Sequence, residues 1–450
     1  MKDAFITKGE SRMAFKKTIG TLISGALLTS LLVGCTNGNE KEPEEVANEP
    51  NEPPTEESLS PEEGAHLILW DNGDEEAEWA AYVAEAFEKA YGVPVELQEV
   101  GHTDAPTKLE TDGPAGLGAD VFNAAHDHLG KMVSAGLVYD NYYASDYKEA
   151  FMDASVSGAS YVDQDGQLTM YGFPLAIETY ALYYNKDIVE EPPTTWEELF
   201  TTAKAFQEES TNSERRFGFM MEPANFYYTH AFMAGYGGYV FGDQNTNAKD
   251  LGIDNEGAIQ SGHFLASMHD ELLPLAIEDI TGDVISSFFN EGNLAYRISG
   301  PWDVRNHESA GVNFGVAPLP LLENGEAPQS FSGIKAYYVN SYSEYPKAAT
   351  LLAQFASSEE MLLKRYEMTG QLPPIKSLIE HELIQKDDIS TAFLEQSLQA
   401  VPMPNMPEMI SVWGPMQVAY TSIWNDGTDP EQALKAAREQ IEDAIATLSP

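Results

Sequence analysis

Apolar residues recur in short blocks along the chain, and the blocks alternate between two spacings. Residues 65–70 (AHLILW) form a compact apolar run that is typical of a buried strand. Across 74–91 the apolar positions fall three or four apart and acidic residues crowd the first turn, which predicts a helix that ends before Gly92. Residues 93–100 and 120–125 return to the strand pattern. Strand, helix and strand in this order predict parallel pairing and an α/β fold.

The same patterns predict further elements. Residues 157–162 and 167–173 look like two strands, and the sequence DQDG at 163–166 separates them. This DxDG resembles half of a calcium loop, but the distal Glu of that motif is missing, so a hairpin turn is favoured. The sequence TWEE at 195–198 is a capping box that opens a helix toward Glu209. Strands over 294–299 and 313–318 and a closing helix over 430–448 complete the predicted elements.

The N-terminal segment predicts export and lipid anchoring. Lys16 and Lys17 precede an apolar run over 19–33, which is shorter than the roughly 20 residues that a membrane-spanning helix needs. The run ends in Leu-Val-Gly-Cys, which is similar to the lipobox of bacterial lipoproteins, whose cysteine receives the lipid. Cys35 is the only cysteine, so the alternative to lipidation is an unmodified thiol. We therefore predict a signal peptide over 1–34 and a protein held on the outer face of the cell membrane by lipid on Cys35.

Composition separates a linker from the folded part and sets the charge. Residues 36–64 consist mainly of Glu, Pro and Asn and cannot bury enough apolar surface to fold, which predicts a disordered acidic linker over 35–64.

The formal charge is −47 for the whole chain, and because five basic and two acidic residues precede Cys35, −50 remains from Cys35 onward. Nucleic acid is therefore excluded as a partner. The acidic surface fits a halophilic or alkaline habitat, or simply a well hydrated surface.

Several strings resemble the maltose- and maltodextrin-binding proteins of ABC importers, of the lipoprotein type found in Gram-positive bacteria, within the type II periplasmic-binding-protein superfamily. YNKD at 184–187 and TWEE at 195–198 occur widely in that superfamily. GPW at 300–302 and MPNMPEM at 403–409, followed by Trp413, are narrower and point to the maltodextrin branch. The other matching strings are LWDNGD at 69–74, GADVFNAAHD at 118–127, PLAIETYALYYNKD at 174–187, PTTWEEL at 193–199 and GGY at 237–239.

The resemblance implies an α/β fold of two discontinuous lobes joined by a hinge. A ligand would bind in the cleft and draw the lobes shut. Crossings between the lobes are expected near Ala176, Phe331 and Pro373. The N-lobe would comprise 65–176 and 332–373, and the C-lobe 177–331 and 374–450. The function implied is capture of maltose, malto-oligosaccharides or cyclodextrins by a monomer that has no cofactor, and delivery of the unaltered sugar to ABC transporter permease subunits.

A sugar cleft needs flat apolar surfaces together with hydrogen-bond acceptors. A pyranose presents an apolar C–H face and a ring of hydroxyls, so aromatic planes cover the face while carboxylates and amides serve the hydroxyls. By matching position, the resemblance assigns stacking to Trp302, Trp413 and Tyr227. It assigns hydroxyl acceptance to Asp74, Asp127, Glu178 and Glu222, with Asn72, His126 and Met403 completing the predicted site.

These assignments have structural alternatives. Glu178 lies among apolar residues, where an unpaired carboxylate is costly, so a ligand hydroxyl is its expected partner. Asp127 and Glu222 are also candidates for helix caps, and Phe226 and Tyr228 compete with Tyr227 for the stacking role. Because tryptophans are highly buried on average, four of the six are assigned to the core, namely Trp70, Trp79, Trp196 and Trp424.

The first lobe departs from the family pattern at three positions. Ala124 stands where many members have tryptophan, His128 where they have arginine, and Glu75 where they have lysine. Loss of a stacking platform and two cations predicts a more open first-lobe side of the cleft. This disfavours tight maltose binding and favours longer or cyclic maltodextrins.

Two other classes of function remain open from the sequence. A glycoside hydrolase also lines a sugar cleft with carboxylates, although it needs an acid and a base or nucleophile that flank one bond. The other class is a binding protein for a peptide, polyamine or metal. The sequence His126-Asp-His128 places two imidazoles two residues apart without a third ligand, so no metal site is expected.

Overall fold

The computed structural model describes residues 59–162, 166–211 and 215–448. The predicted signal peptide, Cys35, most of the predicted linker and residues 163–165 of the predicted turn lie outside these ranges. Within them, none of the helices combines the length and the apolar character that crossing a membrane requires.

Apart from β9, the strands of the described residues form two main sheets and one hairpin. The first sheet has the order β13–β12–β3–β1–β2, with β6 also paired to β12, and the second has the order β11–β7–β10–β8. The strands are β1 Leu67–Asp71, β2 Val95–Glu99, β3 Val121–Ala125, β4 Ser160–Val162, β5 Leu168–Met170, β6 Phe173–Glu178, β7 Ala181–Asn185, β8 Phe217–Met220, β9 Asn247–Leu251, β10 Leu294–Ser299, β11 Phe314–Ala317, β12 Phe331–Val339 and β13 Val401–Pro402.

Helices cover both sheets. They are α1 Asp74–Tyr91, α2 Ala105–Asp112, α3 Leu129–Ser134, α4 Ala144–Ala150, α5 Asp153–Gly158, α6 Trp196–Glu208, α7 Phe226–Gly235, α8 Gly242–Asn245, α9 Glu256–Glu271, α10 Gly282–Asn290, α11 Val304–Ser309, α12 Pro346–Ala356, α13 Glu359–Thr369, α14 Lys376–Ile379, α15 Glu382–Gln385, α16 Asp388–Ser397, α17 Ile410–Asp426 and α18 Pro430–Leu448. Short 3-10 turns lie at His126–His128, Ile277–Asp279, Pro301–Asp303 and Pro407–Met409.

The first sheet confirms the predicted parallel pairing. Strand β1 runs parallel to both β2 and β3, while β12 runs antiparallel to β3 and β6. Neighbouring residues of β1 face opposite cores, because side chains alternate along a strand. Leu69 packs in one core with Trp79 of α1, and Trp70 packs in the other with Phe122 of β3. The sheet is therefore covered on both faces, as parallel strands require.

Local signals fix two of the predicted helices. Helix α1 ends at Gly92, whose φ of 72° is left-handed and whose N–H donates to the Glu88 carbonyl. Helix α6 begins with the predicted capping box, in which the Thr195 side chain accepts from the Glu198 N–H and the Glu198 carboxylate accepts from the Thr195 N–H. Both predictions are confirmed, as is the closing helix α18.

Three connections join the region of the first sheet to that of the second. Strand β6 of the first sheet is followed at once by β7 of the second, and β11 of the second is followed by β12 of the first. The third lies near Leu372, which forms a bridge to Ile177 before the chain continues into α16, packed against β11. The lobe boundaries given above stay a prediction.

The predicted hairpin differs in detail. Residues 157 and 158 end α5 rather than beginning a strand, and the predicted strand over 167–173 is divided between β5 and β6. The division falls at Gly172, whose N–H donates to the Ala159 carbonyl and where an added Cβ would lie 3.1 Å from Ala159 and Ala336 atoms. Strands β4 and β5 do pair in antiparallel register, with Val162 opposite Leu168.

The packed chain begins before Ala65. Leu59 packs against the first-lobe core. The Glu62 carboxylate accepts hydrogen bonds from the N–H groups of Lys347 (2.9 Å) and Ala348 (3.0 Å) at the start of α12. An acidic side chain at a helix N-terminus satisfies free donors and complements the helix dipole. The end of the predicted linker is thus attached to the first lobe.

Candidate ligand-binding cleft

A cavity of about 840 Å³ lies where side chains of the two sheet regions face each other. This volume falls within the roughly 300–1,000 Å³ of small-molecule sites. Its lining divides into three parts, which we call the polar wall, the aromatic wall and the floor. The polar wall is Asn72, Gly73, Asp74, Glu75, Glu76, His102, Thr103, Ala125, Asp127 and His128; the aromatic wall is Asn225, Tyr227, Tyr228, Trp302, Asp303, Asn306, Met403 and Trp413; the floor is Glu178, Lys335, Thr369 and Gln371.

The Gly-Pro-Trp sequence positions Trp302 in the aromatic wall. Strand β10 ends at Ser299, and Pro301 opens a 3-10 turn that carries Trp302. The indole lies back over Gly300, where an added Cβ would come within 2.1 Å of the ring. Glycine is therefore required before the Pro-Trp pair, and the half-buried indole faces the cavity.

The other two aromatic platforms come from helix starts. The Asn225 side chain caps α7 by accepting from the Tyr227 N–H (3.1 Å), which fixes Tyr227 in the first turn. The Tyr227 ring lies 6.3 Å from the Trp302 ring, and its hydroxyl has no hydrogen-bond partner among the described residues. Trp413 lies in the first turn of α17 with its ring edge against Phe331. All three rings are half-buried and line the cavity.

The polar wall begins at Asp74, whose backbone has a left-handed φ of 54°. Such a conformation costs on the order of 1–3 kcal/mol in a residue other than glycine and is concentrated at functional sites. Beside it, the Asn72 side chain contacts the protein through both Oδ1 and Nδ2. Its Oδ1 accepts from the His102 N–H (2.9 Å) and lies 3.0 Å from His102 Nδ1, while its Nδ2 donates to Glu76 Oε2 (2.9 Å). Asn72 Oδ1 therefore fixes His102 at the cavity, while Nδ2 uses one of its two N–H donors on Glu76.

His102 is neutral near physiological pH. Burial, together with the Lys335 ammonium nearby, lowers the pKa of its imidazole to about 3. Since Asn72 Oδ1 only accepts, the proton sits on Nδ1, and Nε2 is left as an acceptor. The wall thus offers a neutral acceptor beside the carboxylates of Asp74 and Asp127.

One hydrogen bond joins the two walls directly. The Trp413 indole Nε1–H donates to Asp127 Oδ2 over 3.1 Å. Asp127 is buried and follows β3, whereas Trp413 belongs to α17 packed in the second lobe. The contact orients the indole plane and leaves the remaining lone pairs of the carboxylate for a ligand.

Glu76 and Lys335 are the centre of a buried polar network under the cavity. Lys335 Nζ donates to Glu76 Oε1 over 2.8 Å and lies 3.1 Å from Glu178 Oε1. Arg365 donates to Glu76 Oε2 over 2.7 Å, and the Gln371 amide donates to Glu76 Oε1 over 2.9 Å. The two cations hold the pKa of the Glu76 carboxyl well below its ordinary value, despite burial that opposes this.

Eight of the ten predicted ligand-binding residues line the cavity, and two do not. The eight are Asn72, Asp74, Asp127, Glu178, Tyr227, Trp302, Met403 and Trp413. His126 is buried behind the wall, where Nδ1 accepts from the Ile334 N–H (3.1 Å) and Nε2 donates to the Met403 carbonyl (2.9 Å). It holds the segment after β13 that carries Met403 instead of reaching the cavity. Glu222 lies outside the cavity lining beside Asn225 and Arg297, and burial raises the pKa of its carboxyl.

Glu178 has a protein partner that the sequence did not identify. A ligand hydroxyl was expected because the carboxylate lies among apolar residues, but the ammonium of Lys335 is its partner in the structure. Burial raises the pKa of the Glu178 carboxyl, and Lys335 opposes that rise. The role of Glu178 toward a ligand stays a prediction.

The three departures from the family pattern have different positions. Glu75 and His128 line the polar wall. Ala124, by contrast, is fully buried in β3 opposite Ala336, and its neighbour Ala125 is the residue that borders the cavity. Because Ala124 does not line the cavity, alanine at this position does not by itself widen the cleft.

Glu178 is the one floor residue that the sequence predicted; Lys335, Thr369 and Gln371 were not predicted. Lys335 is the only charged residue in the strand FSGIKAYYV. A lysine in such a strand predicts nearby carboxylates, because a buried ammonium needs paired charges. Glu76 was read only as a helix-dipole residue of α1, and no local pattern pointed to Gln371 or His102. Burial of the four tryptophans assigned to the core is confirmed, since Trp70, Trp79, Trp196 and Trp424 are at most 2% exposed.

Comparison with known proteins identifies a family and several relatives that bind oligosaccharides. The sequence model described as bacterial extracellular solute-binding protein matches residues 82–392. The galactooligosaccharide-binding protein of Bacillus subtilis (strain 168) is 37% identical over 393 residues, which are 86% of this chain and 91% of that protein. The maltodextrin-binding protein MdxE of the same strain is 33% identical over 342 residues, 75% and 80% of the two chains.

Solved structures agree with the sequence relatives. A cyclo/maltodextrin-binding protein complexed with maltotetraose has a TM-score of 0.71 at 34% identity, over 86% of this chain and 98% of that one. The Thermus thermophilus maltotriose binding protein bound with maltotriose has a TM-score of 0.77 at 27% identity, over 84% and 100%. The predicted two-lobed α/β fold and the predicted resemblance are confirmed. With a cavity between two sheet regions and a family match over most of its length, the chain belongs to the bacterial extracellular solute-binding proteins.

Proposed function

We propose that this protein captures malto-oligosaccharides outside the cell and delivers them, unaltered, to an ABC importer. The observation that carries the proposal is the pairing of the two walls. Half-buried Trp302, Trp413 and Tyr227 face a wall that carries Asp74 and Asp127 across a cavity of about 840 Å³. Rings suit the C–H faces of pyranoses and carboxylates suit their hydroxyls. The volume suits an oligosaccharide better than a single sugar.

A binding role without chemistry is supported by how the carboxylates are engaged. Glycoside hydrolysis needs two carboxyl groups free to act as acid and as base or nucleophile across one bond. Here two of the cavity carboxylates have protein partners: Glu178 is ion-paired to Lys335, and Asp127 accepts the Trp413 indole N–H. Family members and relatives are binding proteins, which agrees with this reading.

A galacto-oligosaccharide is the second candidate ligand. The 37% identity to a galactooligosaccharide-binding protein exceeds the 33% identity to the maltodextrin-binding protein MdxE. Malto-oligosaccharide is favoured because maltotetraose and maltotriose occupy the similar solved structures and because the GPW and MPNMPEM strings match that branch. Both candidates use the same aromatic and polar walls.

Calorimetry with the purified protein tests the proposal. Maltose, maltotetraose, a cyclodextrin and a β-1,4-linked galactotetraose are titrated separately, and we expect the tightest binding from maltotetraose or the cyclodextrin. Tighter binding of the galactotetraose would replace the first candidate with the second. Formation of new reducing ends from maltotetraose during incubation would exclude a pure binding function.

Anchoring by lipid on Cys35 is part of the same proposal, since relatives include solute-binding lipoproteins of ABC transporters. We propose that Cys35 receives the lipid and that the chain works as a monomer beside its permease. Expression with a labelled fatty acid should label the wild type, and Cys35→Ala should abolish the label. A labelled Cys35→Ala protein would contradict the assignment.

A further inference from the structure

Lys335 occupies an unusual place for a lysine. It lies in the middle of β12, where residues 333–339 are all buried, and is itself only 3% exposed. Even so, it borders the cavity at the floor, beside Glu178 and Gln371. An ammonium is retained in such a place only when carboxylates compensate for its lost hydration.

The hydrogen bonds of this ammonium are incomplete. A lysine ammonium carries three N–H donors. Among the described residues, its partners are Glu76 Oε1 (2.8 Å) and Glu178 Oε1 (3.1 Å), which account for two donors. The Lys335 ammonium stays charged, because Glu178 and Glu76 raise its pKa against the effect of burial. One donor of a charged group at the cavity therefore has no protein partner in this part of the chain.

Glu178 has spare capacity as well. An ionised carboxylate accepts about four hydrogen bonds. The interaction with Lys335 uses one of these positions, whereas both oxygens of Glu76 are occupied, by Lys335 and Gln371 on one side and by Arg365 and Asn72 on the other. The floor thus presents a charged donor and a charged acceptor whose atoms are 3.1 Å apart.

We propose that Lys335 and Glu178 together bind two adjacent hydroxyl groups of one sugar ring. Lys335 Nζ donates its third N–H to one hydroxyl oxygen, and a Glu178 oxygen accepts a hydrogen bond from the neighbouring hydroxyl. This proposal rests on the proposed carbohydrate function and adds to it a ligand-positioning residue, Lys335.

Calorimetry on Lys335→Met is the first test, because methionine keeps the unbranched apolar chain and removes the ammonium. We expect the dissociation constant for maltotetraose to rise at least about tenfold, in line with loss of a charge-assisted hydrogen bond. Lys131→Met is the matched control, since Lys131 is also ion-paired in the first lobe (Glu110, 2.6 Å) but lies outside the cavity lining. Equal dissociation constants for wild type and Lys335→Met would overturn the proposal. Failure of wild type to bind any sugar would instead overturn the proposed function.

Two measurements distinguish a ligand contact from a purely structural role and need only the wild type to fold. In a spectrum of the isotope-labelled lysine ammonium groups, saturation with maltotetraose should shift the Lys335 signal and slow its exchange with water. Maltose analogues that each lack one hydroxyl should show the largest losses at two adjacent positions of one ring. An unshifted Lys335 signal, or losses confined to non-adjacent hydroxyls, would contradict the proposal even if Lys335→Met does not fold.

Discussion

The two walls of the cleft are built in opposite ways. The rings of the aromatic wall pack largely against other rings: Trp413 packs edge-on against Phe226 and Phe331, and Tyr227 packs against Tyr180. The polar wall and the floor depend instead on hydrogen bonds and ion pairs, and Glu76 is the partner shared by Asn72, Lys335 and Arg365. Apolar packing tolerates small changes of position, whereas a buried charge network depends on every partner.

This difference indicates that the aromatic wall contributes mainly affinity and the polar groups contribute mainly selectivity. Burial of C–H faces against rings contributes affinity roughly in proportion to area and without regard to hydroxyl stereochemistry. Fixed acceptors and donors contribute discrimination, because a hydroxyl in the wrong place leaves a buried polar group unpaired. We therefore expect changes in the aromatic wall to alter affinity for all glucans, and changes in the polar wall to alter selectivity or stability.

The largest effect is expected on stability, from Glu76→Gln. This change removes the counter-charge shared by Lys335 and Arg365, both of which are buried. Breaking a buried charge pair costs about 3–5 kcal/mol of unfolding free energy. Denaturant unfolding of the variant measures the loss, and Glu75→Gln, next in the chain but not in the network, should change stability by only about 0.5 kcal/mol. A small loss in Glu76→Gln would remove the contrast between the walls.

The same variant has a pH signature with a defined sign. The pKa of Glu76 is lowered well below 4.5 in the folded protein, so the unfolded chain binds more protons as the pH falls below 4.5. The stabilisation by Glu76 is therefore fully present above pH 4.5 and is lost as the pH falls through the folded pKa. Wild type should lose more stability below pH 4.5 than Glu76→Gln does, as measured by unfolding at a series of pH values.

The next largest effect is expected on affinity, from Trp413→Ala and Trp302→Ala. Buried aromatic anchors cost about 2 kcal/mol or more when truncated, which is roughly a thirty-fold weaker dissociation constant. Both variants should weaken binding of maltotetraose and of a cyclodextrin alike. Tyr82→Ala removes an aromatic ring that is 40% exposed outside the cavity and should leave calorimetric affinity unchanged. If binding of only one of the two glucans were weakened, the rings would contribute to selectivity, which would contradict the assignment of selectivity to the polar groups.

A smaller effect is expected where the walls meet. Asp127→Asn keeps an acceptor for the Trp413 indole but removes the charge, so we expect affinity for maltotetraose to fall by about 1.5 kcal/mol, or roughly tenfold. A double-mutant cycle with Trp413→Phe, which lacks the N–H, measures the coupling. A coupling of at least about 0.5 kcal/mol is expected for groups in direct contact. Strict additivity would mean that the two walls act independently.

Most of the fold was predictable because its signals are local. The capping box at Thr195, the left-handed Gly92 and the apolar spacing of α1 each concern residues within a few positions of one another. The split between β5 and β6 was not predictable in this way. It depends on the close approach of Gly172 to Ala159 and Ala336, and the second of these lies far along the chain.

For the site too, residues in recognisable local strings could be predicted, whereas residues that depend on long-range contacts could not. Trp302 and Trp413 stand in recognisable strings, so their exclusion from the core was predicted correctly. Lys335 meets Glu76 across a sequence separation of 259 residues, and no periodicity or spacing carries that contact. For Glu178, the apolar surroundings in the sequence correctly predicted that the carboxylate has a partner, but they did not identify that partner as Lys335.

The smallest effect is expected from His102→Gln in the polar wall. Glutamine retains a hydrogen bond to Asn72 and an acceptor for the ligand, so affinity should change by only about 0.5–1 kcal/mol. The stability profile is more informative, because burial lowers the pKa of His102 from 6.5 to about 3. Below pH 6.5 the unfolded chain binds a proton that the folded protein excludes, so His102 makes stability fall as the pH drops from 6.5 toward 3. His102→Gln should lose less stability than wild type between pH 7 and pH 4.5, while His263→Gln, an exposed histidine, should follow wild type. Parallel profiles for His102→Gln and wild type would mean that this imidazole is hydrated and not part of a fixed wall.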